Sequence, residues 1–381
     1  MSNLILDLDL NKNNSSLKID KNLMSKINDQ SLVFLDKSSS KKKIVVISNE
    51  IRSNCSKVFS SLVKQSQDRN FIFFLNELSE KIDKYIEDLT KHILCLDDAL
   101  KKNQSELSKN GYYFNKLDEK LIDEILDKSK NYLKRFRENI KNNNTSRESL
   151  SVNTGSIIRI IAKKLNSEFD KLGIQKDVSN YMKRSYEVTG VSLEMSTPNS
   201  SWWKKKETVK KAPKTLYAHL DESLIYPKSI CYLSNVSEDN GPTSFYPKIY
   251  KSLKLNFLQD IVGRVIDTVG RKGSPLFHVY NQNVEQKLEC NVFKSHLSEL
   301  PNELKFYSHF GWYVEPDSEI ENQMINDEIK LIGTKGTFVV FDGAKVIHRG
   351  GLLKTGERIV LQIIFGPKKN FIQKVIRKIF H

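Results

Sequence analysis

The sequence predicts an α+β protein in which a strand-rich barrel or jelly roll is braced by helices and preceded by a mostly helical N-terminal region. Two observations predict this fold class. Before about residue 186, apolar residues recur three or four positions apart, which is the spacing of one helix face. After it, short runs rich in β-branched and aromatic residues alternate with turn sequences such as SEDNGP and GTKG, which is typical of a barrel or jelly roll.

The N-terminal segment, residues 1–105, carries three different patterns. Residues 1–40 are polar with short apolar patches, and predict a weakly ordered arm or a peripheral pair of strands. The run KKKIVVIS, Lys41 to Ser48, predicts one short buried strand. From about Phe71 to Leu107 the apolar residues form one stripe with charges opposite, which predicts one long helix or two shorter ones.

The second predicted segment, residues 106–367, contains most of the strands. It begins with the short strand GYYFNKL and an amphipathic helix that has Asp118 as its N-cap. A polar loop follows at Asn142 to Ser149, and then a further helix through Phe169. Strands are predicted next for VSLEMS, TLYAHLD, SICYLSNV, TFVVFDGAKVIH and RIVLQIIF, with a strand-like PLFHVY among them. The third segment, residues 368–381, predicts a basic amphipathic helix.

Composition limits the compartment and the partners. The net charge of +15 has two explanations that stay open: a lysine-rich composition without function, or a basic surface that attracts anions. The cysteines are scattered with no CxxC pair, which argues against a zinc ribbon, a redox motif or a disulfide framework. No run approaches the roughly 18–20 apolar residues of a membrane span. The N-terminus is acidic where a signal peptide is basic, so the sequence predicts a cytoplasmic protein.

Two short segments carry residues suited to metal chemistry. In TLYAHLD, a strand would point His219 and Asp221 to the same face, because side chains alternate along a strand. In DGAKVIHRGG, His348 ends a later strand. Two imidazoles and one carboxylate form the facial triad of non-haem Fe(II) oxygenases, which leaves coordination positions open. Arg358, ten residues after the second histidine, begins the next strand and is suited to a two-pronged bond with a carboxylate.

These motifs, in this order, resemble the phytanoyl-CoA dioxygenase-like branch of the 2-oxoglutarate/Fe(II) oxygenases. The resemblance covers roughly residues 108–367 and rests on GYYF with its helix, AHLDES, the acidic-Asn-Gly-Pro turn of ICYLSNVSEDNGPTSFYP, GTFVVFDGAKVIHRGG and GERIVLQIIF. It implies a double-stranded β-helix of the jelly-roll, cupin-like kind. It also implies an Fe(II) ion held by His219, Asp221 and His348, 2-oxoglutarate held by Arg358, O₂ as oxidant, and hydroxylation or related C–H oxidation with release of succinate and CO₂.

Some positions depart from the family pattern or carry weaker predictions. The turn continues as Tyr246-Pro247-Lys248 where family members often have Pro-Gly-Ser-His, and the stretch between Tyr250 and Gly333 diverges. Thr243 and Tyr217 are candidates for hydrogen bonds to 2-oxoglutarate or substrate, although turn or core roles fit them equally. The other histidines lack partners at ligand spacing and are interpreted as structural or surface residues, with substrate contact considered first for His278: His92, His278, His296, His309 and His381.

The substrate and partners are predicted less closely. SWWKKKETVKKAPK, just before the H-x-D motif, could form a lysine-rich lid that attracts an anionic small-molecule or conjugated substrate, or simply a solvated loop. The C-terminal basic helix permits peripheral membrane contact or docking on the protein itself. The alternatives to an oxygenase are a jelly-roll binding protein without turnover, and a nucleic-acid demethylase. The complete triad argues against the first, and the missing second arginine after Arg358 argues against the second. The sequence does not indicate the oligomeric state.

Overall fold

A computed structural model gives the fold for most of the chain. It describes residues 15–36, 39–97, 100, 105–143, 147–151, 156–198, 214–280, 287 and 290–368. The chain divides into two compact units: unit 1, with Met1–Cys95, Pro213–Ser223 and Lys248–Asn326, and unit 2, with Leu96–Ala212, Leu224–Pro247 and Asp327–His381. The predicted segments 1–105, 106–367 and 368–381 concern domains, and they stay predictions.

Helices and strands are numbered in chain order among the described residues. The helices are α1 Lys21–Leu35, α2 Lys41–Gln65, α3 Arg69–Leu94, α4 Glu106–Asn110, α5 Glu119–Asn143, α6 Ser156–Lys171, α7 Ile174–Met182, α8 Ile249–Ser252, α9 Phe257–Val265, α10 Asn291–Glu299 and α11 Glu319–Asp327, with 3₁₀ turns at Ile266–Thr268 and Phe310–Trp312. The strands are β1 Tyr112–Lys116, β2 Arg147–Ser151, β3 Tyr186–Ser196, β4 Lys228–Tyr232, β5 Thr243–Tyr246, β6 Ile329–Leu331, β7 Thr337–Phe341, β8 Ile347–Arg349 and β9 Arg358–Pro367.

Unit 1 begins with the three long helices α1 to α3. Each starts at a side-chain cap, in which Asp20, Ser40 or Asp68 accepts backbone N–H groups of the first turn. In α3 the predicted apolar stripe is largely buried, with Leu78 and Ile82 fully enclosed, which confirms the helical prediction as far as Leu94; Leu107 lies in the separate short helix α4. None of the described helices combines the length and the apolar character that crossing a membrane requires.

The strand predicted for Lys41 to Ser48 is wrong, because these residues form the first two turns of α2. Ile44 and Ser48 are buried at helical spacing, whereas Val45 and Val46 are 41% and 50% exposed. A short β-branched run does not distinguish a strand from a helix, and the length of the periodic pattern decides. Within residues 1–40, the region of α1 is likewise helical rather than an arm or strand pair.

Unit 2 contains two sheets in which every strand pair is antiparallel. The larger sheet has the strand order β1-β7-β4-β9-β3-β2, and the smaller has β6-β5-β8. Neighbouring strands are often distant in sequence, as in the pairs β1–β7 and β4–β9. Together with the helices, these sheets confirm the predicted α+β class.

The two faces of the larger sheet line different cores within unit 2. One face packs on helices, and its cluster joins Ile122 and Phe169 to Leu361 and Phe365 of β9. The other face meets the smaller sheet, in a cluster that contains Tyr232 and Val360 from the larger sheet and Phe245 and Leu331 from the smaller one. Because side chains alternate along a strand, Arg358 has the same orientation as Val360 and points between the two sheets.

Three further local predictions differ from the structure. Arg147–Ser151, placed in a polar loop by the sequence, pairs with β3 as an edge strand. PLFHVY forms turns, and its His278 is exposed. TLYAHLD forms turns and an extended stretch outside the named strands. A segment becomes a strand only where a partner strand is available to bind its backbone groups. Arg147–Ser151 has such a partner in β3, whereas PLFHVY and TLYAHLD have none among the named strands.

Candidate metal centre

The H-x-D motif is held by a turn and by backbone bonds within unit 1. The Ala218 N–H donates to the Thr215 carbonyl at 3.0 Å, and the Leu220 N–H donates to the Ser308 carbonyl at 3.0 Å. Between them, Tyr217 has a positive φ of 68°. Non-glycine residues adopt this conformation only where their surroundings fix it, and here the Tyr217 ring packs edge-on against Trp312, 4.8 Å between centroids.

Burial alternates along this stretch although it is not a regular strand. Ala218 and Leu220 are fully buried, whereas His219 and Asp221 are partly exposed. The apolar residues therefore anchor one side of the extended backbone, and the candidate ligands lie on the other. His219 Nδ1 lies 2.9 Å from the Tyr217 carbonyl oxygen. A carbonyl only accepts, so Nδ1 carries the proton and Nε2 has the lone pair that a metal ligand needs.

The carbonyl of Asp221 is held by a buried arginine. Arg264 is fully buried on α9, and its Nη1 donates to the Asp221 carbonyl oxygen at 2.9 Å. Its Nε donates to Asp260 Oδ2 at 3.1 Å, and its Nη2 donates to the Tyr250 hydroxyl at 3.1 Å. Burial is the largest single influence and lowers the pKa of Arg264, but Asp260, Tyr85 and Tyr250 together outweigh it and the pKa is raised. The guanidinium is therefore a fixed positive group behind the motif.

The ring of His219 stacks on a second histidine. The His219 and His309 rings are parallel within 1°, with centroids 4.8 Å apart. His309 Nδ1 lies 2.7 Å from Oδ2 of Asp267, which is almost completely buried. Burial is the largest single influence and lowers the pKa of His309, but the carboxylates of Asp267, Glu222 and Asp221 together outweigh it and the pKa is raised. This orients the His309 ring with its Nδ1 proton towards the carboxylate.

One further donor binds the same carboxylate, and a buried ammonium binds backbone carbonyls beside it. The Tyr307 hydroxyl donates to Asp267 Oδ1. The buried Lys287 ammonium donates to the carbonyls of Ile266, Asp267 and Val269 at 2.9, 3.2 and 2.7 Å. Burial raises the pKa of Asp267, but His309, Lys287 and Tyr307 together outweigh it and lower the value to about 2. Asp267 is therefore ionised throughout the physiological pH range.

The second histidine of the predicted triad lies between the two sheets of unit 2. His348 is on β8, where it pairs with Phe245 of β5, and it is 6% exposed. Its ring meets the Phe341 ring edge-on, 4.8 Å between centroids. His348 Nδ1 lies 3.0 Å from the Val346 carbonyl oxygen. As in the first motif, a carbonyl two residues earlier selects the tautomer that presents Nε2.

Arg358, the predicted carboxylate ligand, is buried at the start of β9. Its Nη1 donates to the Gly241 carbonyl at 2.7 Å, in the Asn-Gly-Pro turn. A Cβ added to Gly351 would lie 1.6 Å from the same carbonyl oxygen, so only glycine fits there. The turn and the HRGG sequence thus position the guanidinium jointly. Thr243 follows the turn, and its backbone N–H donates to the buried Tyr232 hydroxyl at 2.9 Å.

Among the described residues, His219, Asp221 and His348 form a group that could hold a metal ion. One ligand atom of each lies within 4.8 Å of those of the other two. Sequence patterns alone did not place Arg264, Asp267 or His309 around the H-x-D motif. All three lie in the divergent stretch, and the only sequence signal is three charged or polar residues within otherwise apolar runs, VGRVID and SHFGW.

Comparisons with known proteins give solved structures of low identity and low TM-score. No family model matches the chain, and no curated protein matches it. HygX from Streptomyces hygroscopicus, crystallised with nickel, 2-oxoglutarate and hygromycin B, is 12% identical over 69% of this chain and 85% of its own, with a TM-score of 0.35. SnoK, an alpha-ketoglutarate-dependent carbocyclase of nogalamycin biosynthesis, is 10% identical over 70% and 85%, with a TM-score of 0.37. SnoN, an epimerase from nogalamycin biosynthesis, is 13% identical over 71% and 81%, with a TM-score of 0.33.

Proposed function

We propose that the chain is an Fe(II)- and 2-oxoglutarate-dependent dioxygenase. It hydroxylates or otherwise oxidises an unactivated C–H bond of an anionic small-molecule, lipid or glycan-type substrate, with release of succinate and CO₂. The observation that carries this proposal is the group of His219, Asp221 and His348, whose donor atoms lie within 4.8 Å of one another. Two imidazoles and one carboxylate are the donor set of non-haem Fe(II) oxygenases.

The environment of the two histidines fits this metal. Each ring is fixed through Nδ1 by the carbonyl of the residue two positions earlier, at 2.9 Å for His219 and 3.0 Å for His348. Metal-bound histidines usually make such a bond with the nitrogen that does not bind the metal. The group contains no thiolate, so it favours an iron-type ion over the softer metals that cysteine selects.

Arg358 is proposed to bind the distal carboxylate of 2-oxoglutarate. It points between the sheets of unit 2, and its bond to Gly241 fixes the plane of the guanidinium. A fixed planar fork forms two parallel bonds to a carboxylate at little entropic cost. The hydroxyls of Thr243 and Tyr217 are proposed as further donors to the co-substrate or substrate. The two antiparallel sheets that enclose Arg358 support a double-stranded β-helix as the topology.

Within this function, the side chains supply position and charge. When bound, iron supplies the activation of O₂ that amino-acid side chains lack. His219, Asp221 and His348 would hold the metal, and this donor set leaves coordination positions for the co-substrate and O₂. Arg358 sets the direction in which 2-oxoglutarate enters, and the phenyl rings of Phe245 and Phe341 beside His348 exclude water from that histidine.

The finer features of the proposal rest on sequence. The order of the motifs supports the phytanoyl-CoA dioxygenase-like branch, and the charge of +15 supports an anionic substrate. Most of the lysine-rich segment 201–214, and nearly all of the C-terminal segment 368–381 proposed for peripheral membrane contact, lie outside the described residues. A cytoplasmic location and the absence of nucleic-acid substrates remain predictions of the sequence.

An anaerobic titration tests the proposal. Apoprotein is titrated with Fe(II) and then with 2-oxoglutarate, and the visible charge-transfer band of the chelate is followed. We expect His219→Ala to abolish the band, and Arg358→Ala to raise the required 2-oxoglutarate concentration roughly 100-fold, the equivalent of about 3 kcal/mol of charge-assisted bonding.

Arg137→Met is the matched control for Arg358. Arg137 forms an exposed two-pronged pair with the neighbouring Glu357, so its loss removes one positive charge without touching the proposed site. The control should retain the wild-type titration. Absence of the band in folded wild-type protein would refute the oxygenase and leave a binding module.

A further inference from the structure

One face of α9 and the turn after it carries one arginine and two aspartate side chains. Asp260, Arg264 and Asp267 are spaced four and three residues apart, so they project from the same side. Arg264 is 0% exposed and Asp267 is 4% exposed. Ionised groups are rarely buried unless they are paired, because removing them from water is costly. A stripe of this kind in an otherwise apolar helix therefore needs an explanation beyond packing.

The first two members of the stripe act on Asp221. Asp260 and the Tyr250 hydroxyl occupy two edges of the Arg264 guanidinium, and the third donates to the Asp221 carbonyl. A guanidinium bound on three sides cannot rotate, so the position of this carbonyl is fixed relative to α9. The side chain of a residue leaves the same Cα as its carbonyl. Fixing the carbonyl therefore restricts the direction of the Asp221 carboxylate.

The third member of the stripe acts on His219. Asp267 pairs with His309 Nδ1 at 2.7 Å, and the His309 ring lies parallel to that of His219. Tyr307 holds the other carboxylate oxygen of Asp267. The His309 plane is thus determined by a fixed, ionised partner. The parallel His309 ring, with its centroid 4.8 Å from that of His219, limits tilting of the His219 ring. The Tyr217 carbonyl already holds that ring at Nδ1.

We infer that the face of α9 formed by Asp260, Arg264 and Asp267 positions both metal ligands of the H-x-D motif: Arg264 through the Asp221 carbonyl, and Asp267 through His309 stacked on His219. This inference rests on the proposed function, since it assigns the two residues to a metal site. Arg264, Asp267 and His309 are positioning residues and do not touch the ion. Loss of such outer partners typically weakens metal binding 10–100-fold.

Cobalt(II) binding to the full-length apoprotein, without co-substrate, tests the inference. Two double variants each replace two interacting side chains at once: Arg264→Met/Asp260→Asn and His309→Ala/Asp267→Asn. Arg271→Met is the control. Arg271 follows the same helix, but its side chain is 57% exposed and pairs with Glu222. Its substitution therefore removes a positive charge without removing a buried contact to the motif.

The dissociation constant for Co(II) and its visible ligand-field spectrum are measured together. We expect both double variants to bind Co(II) 10–100-fold more weakly with an altered spectrum, and the control to match wild type. A purely structural role would lower the melting temperature and leave the spectrum of the folded protein unchanged. Should the Arg264 double variant not fold, Arg264→Lys, which keeps the charge and loses the planar fork, gives the same comparison.

The outcomes separate this inference from the proposed function. In one outcome, wild-type protein binds Co(II), His219→Ala does not, and both double variants bind it with wild-type affinity and spectrum. The positioning role is then overturned and the metal site stands. If wild-type protein shows no His219-dependent Co(II) binding, the metal site itself fails, and the inference fails with it.

Discussion

The Tyr232 hydroxyl connects the two sheets of unit 2, and its removal should be measurable. Tyr232 ends β4 in the larger sheet and is fully buried. Its hydroxyl accepts the Thr243 N–H at 2.9 Å and donates to the Leu331 carbonyl at 2.8 Å. Thr243 and Leu331 are register partners in the smaller sheet. One hydroxyl therefore satisfies two backbone groups where β5 and β6 begin to pair.

Tyr232→Phe keeps the ring and removes both bonds. A buried backbone group that loses its partner costs about 1–3 kcal/mol, so two such groups cost about 2–4 kcal/mol once partial rearrangement is allowed. For a folding unit of roughly 150–250 residues, each kcal/mol lowers Tm by about 2–4 °C. We therefore expect the melting transition of unit 2 to fall by roughly 5–15 °C. The 2-oxoglutarate requirement should also rise, because Thr243 and the Gly241 turn lie on the displaced strand.

Differential scanning calorimetry is the appropriate assay, because a chain with two units need not melt in one transition. Tyr226→Phe is the control, since Tyr226 is 42% exposed and its loss of a hydroxyl should leave Tm within about 1 °C. If Tyr232→Phe melts within the same margin as Tyr226→Phe, the hydroxyl does not link the sheets, and the contact is dispensable.

Three further predictions concern buried or closely packed residues. Burial raises the pKa of Cys55 to about 12, so at pH 8 a thiol reagent should label the exposed Cys95 rapidly and Cys55 only after unfolding, as mass spectrometry would show. Gly351→Ala should weaken 2-oxoglutarate binding at least tenfold in the titration, because its Cβ would overlap the carbonyl that anchors Arg358, whereas Gly190→Ala meets only ordinary contacts. Burial lowers the pKa of His296 from 6.5 to about 4 in the folded protein. Between these two pH values the unfolded chain protonates this imidazole and the folded protein does not, so stability is lost as pH falls through that window. His296→Gln should remove this part of the pH dependence in urea titrations, and an unchanged profile would contradict the assignment.

The sequence predicted the α+β class and the main helices and strands, because their signals are local and periodic. The α3 stripe, the α5 region after Asp118 and the β9 run are long enough for one period to dominate. Predictions failed where the run was short. Lys41 to Ser48 and PLFHVY contain residues that favour strands, but α2 extends far beyond the first, and no partner strand pairs with the second in the described structure.

The H-x-D motif shows why the site was more predictable than the structure around it. The alternation of side chains along a strand predicts His219 and Asp221 on one face. The structure has no regular strand there, yet Ala218 before His219 and Leu220 after it are buried, so the alternation persists. The requirement is an extended backbone with one buried side, and apolar residues at alternate positions are sufficient for that. The Thr215 and Ser308 carbonyls then supply the backbone bonds that a partner strand would otherwise provide.

The buried charges of α9 could not be predicted because their partners are distant in sequence. In the run FLQDIVGRV, Arg264 looks like the solvent side of an amphipathic helix, yet it is as buried as the leucine and isoleucine beside it. Its acceptor on Asp221 is 43 residues away, and His309 is 42 residues beyond Asp267. Both supports converge on one short motif. Burying Arg264 and Asp267 destabilises the protein unless their partners compensate for the lost hydration, and apolar residues of equal size would stabilise the same helix at lower cost. A need to fix the geometry of His219 and Asp221 therefore explains these buried charges better than stability does.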